Sequence, residues 1–480
     1  MKRLSILFLF GIYLISCTES PKNITLNEIK NRIDQGKYTE TEKIIKQELK
    51  DNRMVAEHTK RELKFELERM RRIRKDFTKS RKEVVDFIRS YIPDVTDNDI
   101  EQWEREKKLE YMVIDGKKRY FNHAARNLFR LDKAAQKIWM EKNPQPNKQS
   151  AKDSFDLDEH DRSIMKAASI KHGYVIPKRF RIHYTITVDS DAVPAGQTVR
   201  CWIPFPREID GRQTDLKILD TDPKQFILAP KTNLQRTIYF EKIAHKAQPI
   251  RFSVNYEFTN RGIYVAIDPE RVQRVTARDS LQEYLKEEPP HIVFNDSIKN
   301  LSRRILGDEK NPYRMAQKLF AWVDRHIIWA SAREYSTIRD LSLYPIINHH
   351  GDCGIQTMLF ITLCRYNGIP ARWQSGWEFK PPSDSMHDWG MIYFKPYGWM
   401  PVDVTYGLRN SGDENFKYFY LQGMDSYRLI FNDGFAQRFA PPKKYIRSET
   451  VDSQRGEVEW DGGNLYFDRW QWDMQWEVLK

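Results

Sequence analysis

Cysteine is scarce in this chain, four residues in 480. So few thiols exclude the disulfide-stapled scaffolds typical of small exported domains. Long apolar runs are missing too. After residue 15 no stretch reaches the roughly 18 residues that a membrane-crossing helix needs. Glycine (21) and proline (23) are too few and too scattered for a collagen-like or broadly disordered chain. Acidic excess is also lacking, with 67 Asp and Glu against 79 Lys and Arg, a formal charge of +12. Apolar material is plentiful: 40% of residues are hydrophobic, and there are 13 Trp, 23 Tyr and 25 Phe. That supports several packed cores, and 480 residues exceed what one core holds, so about two to four domains are expected.

The basic excess concentrates near the N-terminus, in residues 22–148. A basic excess suits nucleic acid, acidic glycans or an anionic membrane. Here the cations are interspersed with acids, which is the pattern of solvated helical faces. Ahead of that region, Lys2 and Arg3 precede an apolar run from Leu4 to Ile15, the layout of a secretory signal. Leu14-Ile15-Ser16-Cys17 resembles the end of a bacterial lipoprotein signal. The resemblance implies that residues 1–17 are a signal peptide and that Cys17 becomes the lipidated first residue of the mature chain. The expected location is therefore the bacterial cell envelope, on the periplasmic face or the cell surface. The membrane is then a partner through a lipid anchor, and nucleic acid is excluded.

Texture divides the rest. Residues 22–145 read as a basic helical domain, opening with a helix, a turn at Gly36 and a second helix. The stretch 146–172, entered through "NPQPNKQSAKDS", has the composition of a linker. From 173 to 280 the period falls to two: "RFRIHYTITV", "TVRCWIPFP", "RTIYFEKI" and "IRFSVNYEF" predict short strands and a β-sandwich. Residues 281–445 return to helix, then alternate helix and strand. A Trp-rich tail, 446–480, reads as a C-terminal β-strand extension around Asp461-Gly462-Gly463. The fold class is thus multidomain: all-α, then β-sandwich, then α+β.

Removing Cys17 leaves Cys201, Cys353 and Cys364, an odd number, so at least one thiol is free. Cys353 and Cys364 lie on one predicted helix, about 16 Å apart along its axis, and cannot bridge. Asp352 reads as the N-cap of that helix and Asn367-Gly368 as its stop. A thiol in the first turn feels the positive end of the peptide dipoles, which favours thiolate. Such a thiol needs an imidazole, and the imidazole needs an orienting acid. His387 and Asp403 sit on two strand-like runs joined at Lys395-Pro396-Tyr397-Gly398. An odd-numbered hairpin loop, taken as 394–398, puts both on one face, with Asp403 opposite Trp389.

Gly351-Asp352-Cys353, Gly368-Ile369-Pro370-Ala371-Arg372, His387-x-Trp389 and Gly398-Trp399-x-x-Val402-Asp403-x-Thr405 resemble, in order and spacing, the transglutaminase-like core. The resemblance covers about 310–410 and extends loosely to Trp202-Ile203-Pro204-Phe205-Pro206 upstream. It implies a papain-like α+β fold, with Cys353 as nucleophile, His387 as base and Asp403 as the group orienting His387. It also implies acyl-enzyme chemistry on amide bonds of a protein, peptide or glycopeptide, without a cofactor. Hydrolysis is the expected outcome over amine transfer, because no amine pocket is evident. Asp388 stands where many relatives have a small residue and, by strand alternation, should point away from His387. A second oxyanion donor is left open among Gln317, Trp329 and Tyr344. Two other readings exist. His349, His350, Cys353 and the acids offer zinc-type ligands, but in no recognised zinc spacing, so no metal is expected. The other is a non-catalytic peptide- or glycan-binding lipoprotein on the same scaffold.

Overall fold

The computed structural model describes residues 25–51, 56–144 and 155–480. The signal segment 1–17 with Cys17, and residues 146–154 of the expected linker, lie outside the described residues. The chain divides into two compact units. One comprises the residues up to 71 together with 113–117, and the other comprises 72–112 and 118–480. The helical region expected as one domain over 22–145 is therefore shared between them.

In the first unit, Thr25 starts the helix Leu26–Asp34 with a capping box to Glu28. Ile29, Ile33, Tyr38 and Ile45 are buried at helical spacing along this helix and the next, Tyr38–Asp51. Gly36 makes the turn between them at φ +78°, a conformation that favours glycine.

The second unit carries three larger sheets. Two have five strands each. One aligns Gly423–Met424, Ile250–Tyr264, Tyr174–Val188 and Trp470–Leu479, with Gln213–Asp222 also on Ile250–Tyr264. The other runs Gly463–Leu465, Glu457–Trp460, Thr198–Pro204, Thr237–Ile243, Ile227–Leu228. Phe180, Ile182, Tyr184 and Ile186 alternate inward from the first sheet and meet Val199, Cys201 and Ile203 from the second in one apolar cluster. Residues 446–480 are thus not an extension. Trp470–Leu479 pairs antiparallel with Tyr174–Val188, and Glu457–Trp460 pairs with Thr198–Pro204, because strand edges left open after residue 264 are closed by the tail.

The linker expectation also needs correction. Leu157–Ile170 is a helix whose Asp156 cap accepts the Glu159 N–H at 3.1 Å. Ile164 and Ala168 pack into the core, so helical spacing of a few apolar residues outweighed the polar composition around them. Asp161 on this helix is fully buried. Burial, reinforced by the Asp425 charge, pushes its carboxyl up to about 9. A raised acid is stabilising while protonated, below about pH 4, and loses that contribution as pH rises towards 9. Asp161→Asn is therefore expected to raise the thermal midpoint at pH 8 relative to wild type, with the gap closing by pH 4. Scanning calorimetry at the two pH values reads this directly, and an equal gap at both would refute it.

A four-stranded antiparallel sheet positions the residues of interest, in the order Gly398–Val402, Ser383–Phe394, Ala371–Lys380, Arg428–Asn432. On it packs the helix Cys353–Tyr366, buried on every side from Gly354 to Arg365, as a core helix must be when apolar all round. Asp352 caps it, accepting the Ile355 N–H at 3.1 Å, and Gly368 follows its end at φ +79°.

Candidate active site

Cys353 opens its helix and lines a cavity of about 250 Å³ together with Trp329, Tyr335, Asp388, Asp452 and Gln454. Cys201 and Cys364 are free but buried, so Cys353 alone of the three described thiols reaches a cavity. Its Sγ donates to Asp388 Oδ2 at 3.6 Å. The same oxygen accepts the Tyr335 hydroxyl at 2.9 Å, and Asp388 Oδ1 accepts Gln454 Nε2 at 2.8 Å. Glycine at 354 is required by this arrangement, since a Cβ there would collide with the Tyr335 hydroxyl and Asp388 Oδ2.

The electrostatics reverse the sequence expectation for the thiol. Burial, followed by the charges of Asp388 and Asp352, pushes Cys353 well above the ordinary thiol range, and a hydrogen bond from the Asp388 backbone only partly opposes this. A helix start favours thiolate by a few tenths of a kcal/mol to about 1 kcal/mol. Desolvation beside like charges is the larger effect.

His387 and Asp403 are brought together. Phe394 pairs with Gly398, leaving a three-residue loop. The loop is shorter than 394–398 but also odd, so Asp403 falls opposite Trp389 and diagonal to His387. His387 Nε2 lies 2.7 Å from Asp403 Oδ2. His387 is buried, and its ring stacks on Trp389 with centroids 5.9 Å apart. Its Nδ1 makes no hydrogen bond among the described residues. Arg428 Nη1 also reaches Asp403 Oδ2, at 3.0 Å, while its Nε donates to Asp425 Oδ2 at 2.8 Å. Burial would raise the Asp403 carboxyl, but the charges of His387 and Arg428 outweigh it and hold it below its usual range. Glu378 approaches the same imidazole at 3.8 Å and accepts the Tyr406 hydroxyl at 2.6 Å.

Cys353 and His387 share no hydrogen bond among the described residues; the thiol proton is directed to Asp388 instead. Alternation along Ser383–Phe394 sends Asp388 and His387 to opposite faces. Asp388 does point away from His387, and that direction is towards Cys353. Of the oxyanion candidates, Trp329 lines the cavity. Tyr344 spends its hydroxyl on Glu110 at 2.9 Å, and Gln317 is not among the lining residues. Among the described residues no three His, Cys, Asp or Glu side chains are arranged to hold a metal ion. Sequence reasoning missed Tyr335, Arg428, Asp452 and Gln454, for which no local pattern exists. Only the apolar surroundings of Arg428 in "YRLIF", a charge inside a buried strand, offered a signal.

The profile of the transglutaminase-like superfamily matches residues 299–404, which form a core of that kind. No curated protein matches the chain. Among solved structures, a Cytophaga hutchinsonii protein named as a candidate cysteine protease is 16% identical, with TM-score 0.45, covering 64% of this chain and 93% of its own. The periplasmic domain of TgpA from Pseudomonas aeruginosa is 14% identical, with TM-score 0.26, covering 50% of this chain and 90% of its own. No helix of the described residues is long and apolar enough to cross a membrane.

Proposed function

With a transglutaminase-like core over residues 299–404 as the premise, we propose that the protein is a thiol enzyme acting on amide bonds through a Cys353 acyl-enzyme. Cys353 Sγ adds to the carbonyl and its proton passes to His387 Nδ1, a step that requires the thiol to leave its Asp388 bond and the imidazole, which lies outside the lining of the Cys353 cavity, to turn towards it. That proton then leaves with the amine, and water hydrolyses the thioester. Asp403 holds Nε2 and sets the ring orientation. The observation that carries this reading is the 2.7 Å contact of His387 Nε2 with Asp403, which leaves Nδ1 free to take a proton. Hydrolysis is taken over transfer because no amine pocket is evident in the sequence. The substrate class is protein, peptide or glycopeptide. Cys17 would tether the enzyme in the bacterial cell envelope.

One observation favours a second reading, a non-catalytic binding lipoprotein: the thiol is bonded to Asp388 and burial disfavours its ionisation. The two readings separate in one experiment. The chain lacking residues 1–17 is incubated with a peptide-amide library, with and without added hydroxylamine, and acid-quenched samples are weighed intact. An acyl adduct on Cys353, absent from Cys353→Ala, is expected, with hydroxamate formed when hydroxylamine competes with water. Binding with neither adduct nor product would leave the scaffold reading standing.

A further inference from the structure

The Cys353 cavity holds more acid than the proposed chemistry uses. Glu334, Asp352, Asp388, Glu449 and Asp452 line it, against the guanidiniums of Arg333 and Arg455. Three of these acids have evident work. Asp352 caps the helix, Glu334 takes Arg455 Nη1 and Nη2 at 3.0 and 2.6 Å, and Glu449 accepts the Val451 N–H at 2.8 Å. Arg333 is turned to Glu110, at 3.4 Å. Asp388 and Asp452 remain.

Asp452 is 2% exposed, and among the described residues its Oδ2 has no donor. Its carboxyl interacts side chain to side chain with that of Asp388. Two buried carboxylates in contact cannot both be ionised, and one proton between them supplies the missing donor to Asp452 Oδ2. The other groups facing the pair do not replace that proton. Tyr335 precedes the cysteine helix, Asp352 begins it, and Glu378 lies on the neighbouring strand, as does Ser375, which bonds the Asp452 carboxyl. Arg447 spends its guanidinium on the Glu449 and Gln437 carbonyls and the Ser453 hydroxyl, and Glu334 with Arg455 is a closed ion pair.

We propose that Asp388, sharing a proton with Asp452, is a positioning residue for Cys353: it takes the thiol hydrogen bond in the empty site and holds the nucleophile protonated, so that the resting protein is latent. The proposal rests on Cys353 being the nucleophile. It gives a role to the acid that takes the thiol hydrogen bond and to the second carboxyl set against it.

The test is the rate of iodoacetamide alkylation of Cys353 against pH, read by peptide mass, in the chain lacking residues 1–17. Wild type is compared with Asp388→Asn and Asp452→Asn. In Asp388→Asn the apparent thiol pKa should fall, with the neutral-pH rate rising about tenfold for each unit. In Asp452→Asn it should stay at or above wild type, because Asp388, freed of its like-charged neighbour, ionises fully beside the sulfur. Unchanged reactivity in Asp388→Asn, or an equal fall in both variants from a loosened cavity, overturns the proposal. Should Asp388→Asn not fold, the wild-type profile alone decides: an apparent thiol pKa at or below about 8.5 overturns it, and a higher one supports it. Amide turnover plays no part in this readout. A chain that alkylates as stated but cleaves nothing therefore counts against the enzymatic reading and not against the role of Asp388.

Discussion

His387→Ala is expected to lower amide turnover by about 10²- to 10⁴-fold, the usual contribution of a general base. The loss should fall on kcat more than on KM, because the imidazole is needed as the proton moves and contributes little to holding substrate. The expectation rests on the geometry at the ring. Nε2 is held by Asp403 at 2.7 Å, so the proton on the imidazole is pinned to that side and Nδ1 is presented as the acceptor. Asp403→Asn should cost turnover as well, since an amide can hold the ring in the wrong tautomer. The acid limb of the pH–rate profile should not come from Asp403. The charges of His387 and Arg428 hold its carboxyl below the usual range against burial, so its negative charge persists until the pH drops beneath that range. Steady-state kinetics on the amide found by library screening would check this. Turnover in His387→Ala within a few-fold of wild type would remove the residue from the mechanism.

Arg428→Met is expected to destabilise the fold by about 3–5 kcal/mol, the range for stripping one partner from a buried ionic cluster. Arg428 is completely buried, and it lies 3.0 Å from Asp403, 2.7 Å from Asp425 and 3.6 Å from Glu378. Methionine has similar reach but no charge, so Asp403 and Asp425 would lose their guanidinium in a low-dielectric site, while Glu378 keeps Lys380 at 3.2 Å. The penalty has a defined pH dependence. Against burial, Arg428 keeps Asp425 and Asp403 below their ordinary range, so the stability they contribute is present above about pH 4 and is lost as pH falls through the lower native values. The difference between variant and wild type should therefore shrink in acid. Arg428→Lys should retain part of the stability, since a point charge cannot serve the two sides of the cluster as the planar fork does. Urea unfolding at pH 7 and at about pH 3, below the ordinary carboxylate range, tests both statements. A loss under about 1 kcal/mol at pH 7 would mean the carboxylates are not held ionised by this guanidinium.

Some of this molecule is decided within a few residues of chain, and that part is readable without a structure. The cysteine helix begins at Asp352 and ends at Asn367-Gly368 because caps are hydrogen bonds between near neighbours. His387 and Asp403 meet because alternation and an odd-numbered hairpin loop leave two residues of adjoining strands no other choice of face. The helix Leu157–Ile170 was hidden by composition, its apolar spacing diluted among charged and polar residues that read as linker.

Other features have no local cause. Asp388 meets Asp452 across 64 residues of chain, and the strand Trp470–Leu479 finds Tyr174–Val188 across nearly three hundred. Such encounters are selected by which edges remain unpaired and which side chains the core excludes, and these are properties of the assembled sheets. The ionisation of Cys353 turns on the same distinction. From the sequence by itself follow the place of the thiol at a helix start, the hairpin that joins His387 to Asp403, and the family those motifs resemble. Tertiary structure alone decides that the thiol is desolvated and bonded to Asp388 while His387 is held by Asp403. A helix dipole acts within one turn, whereas burial and neighbouring charge depend on everything that packs around the sulfur.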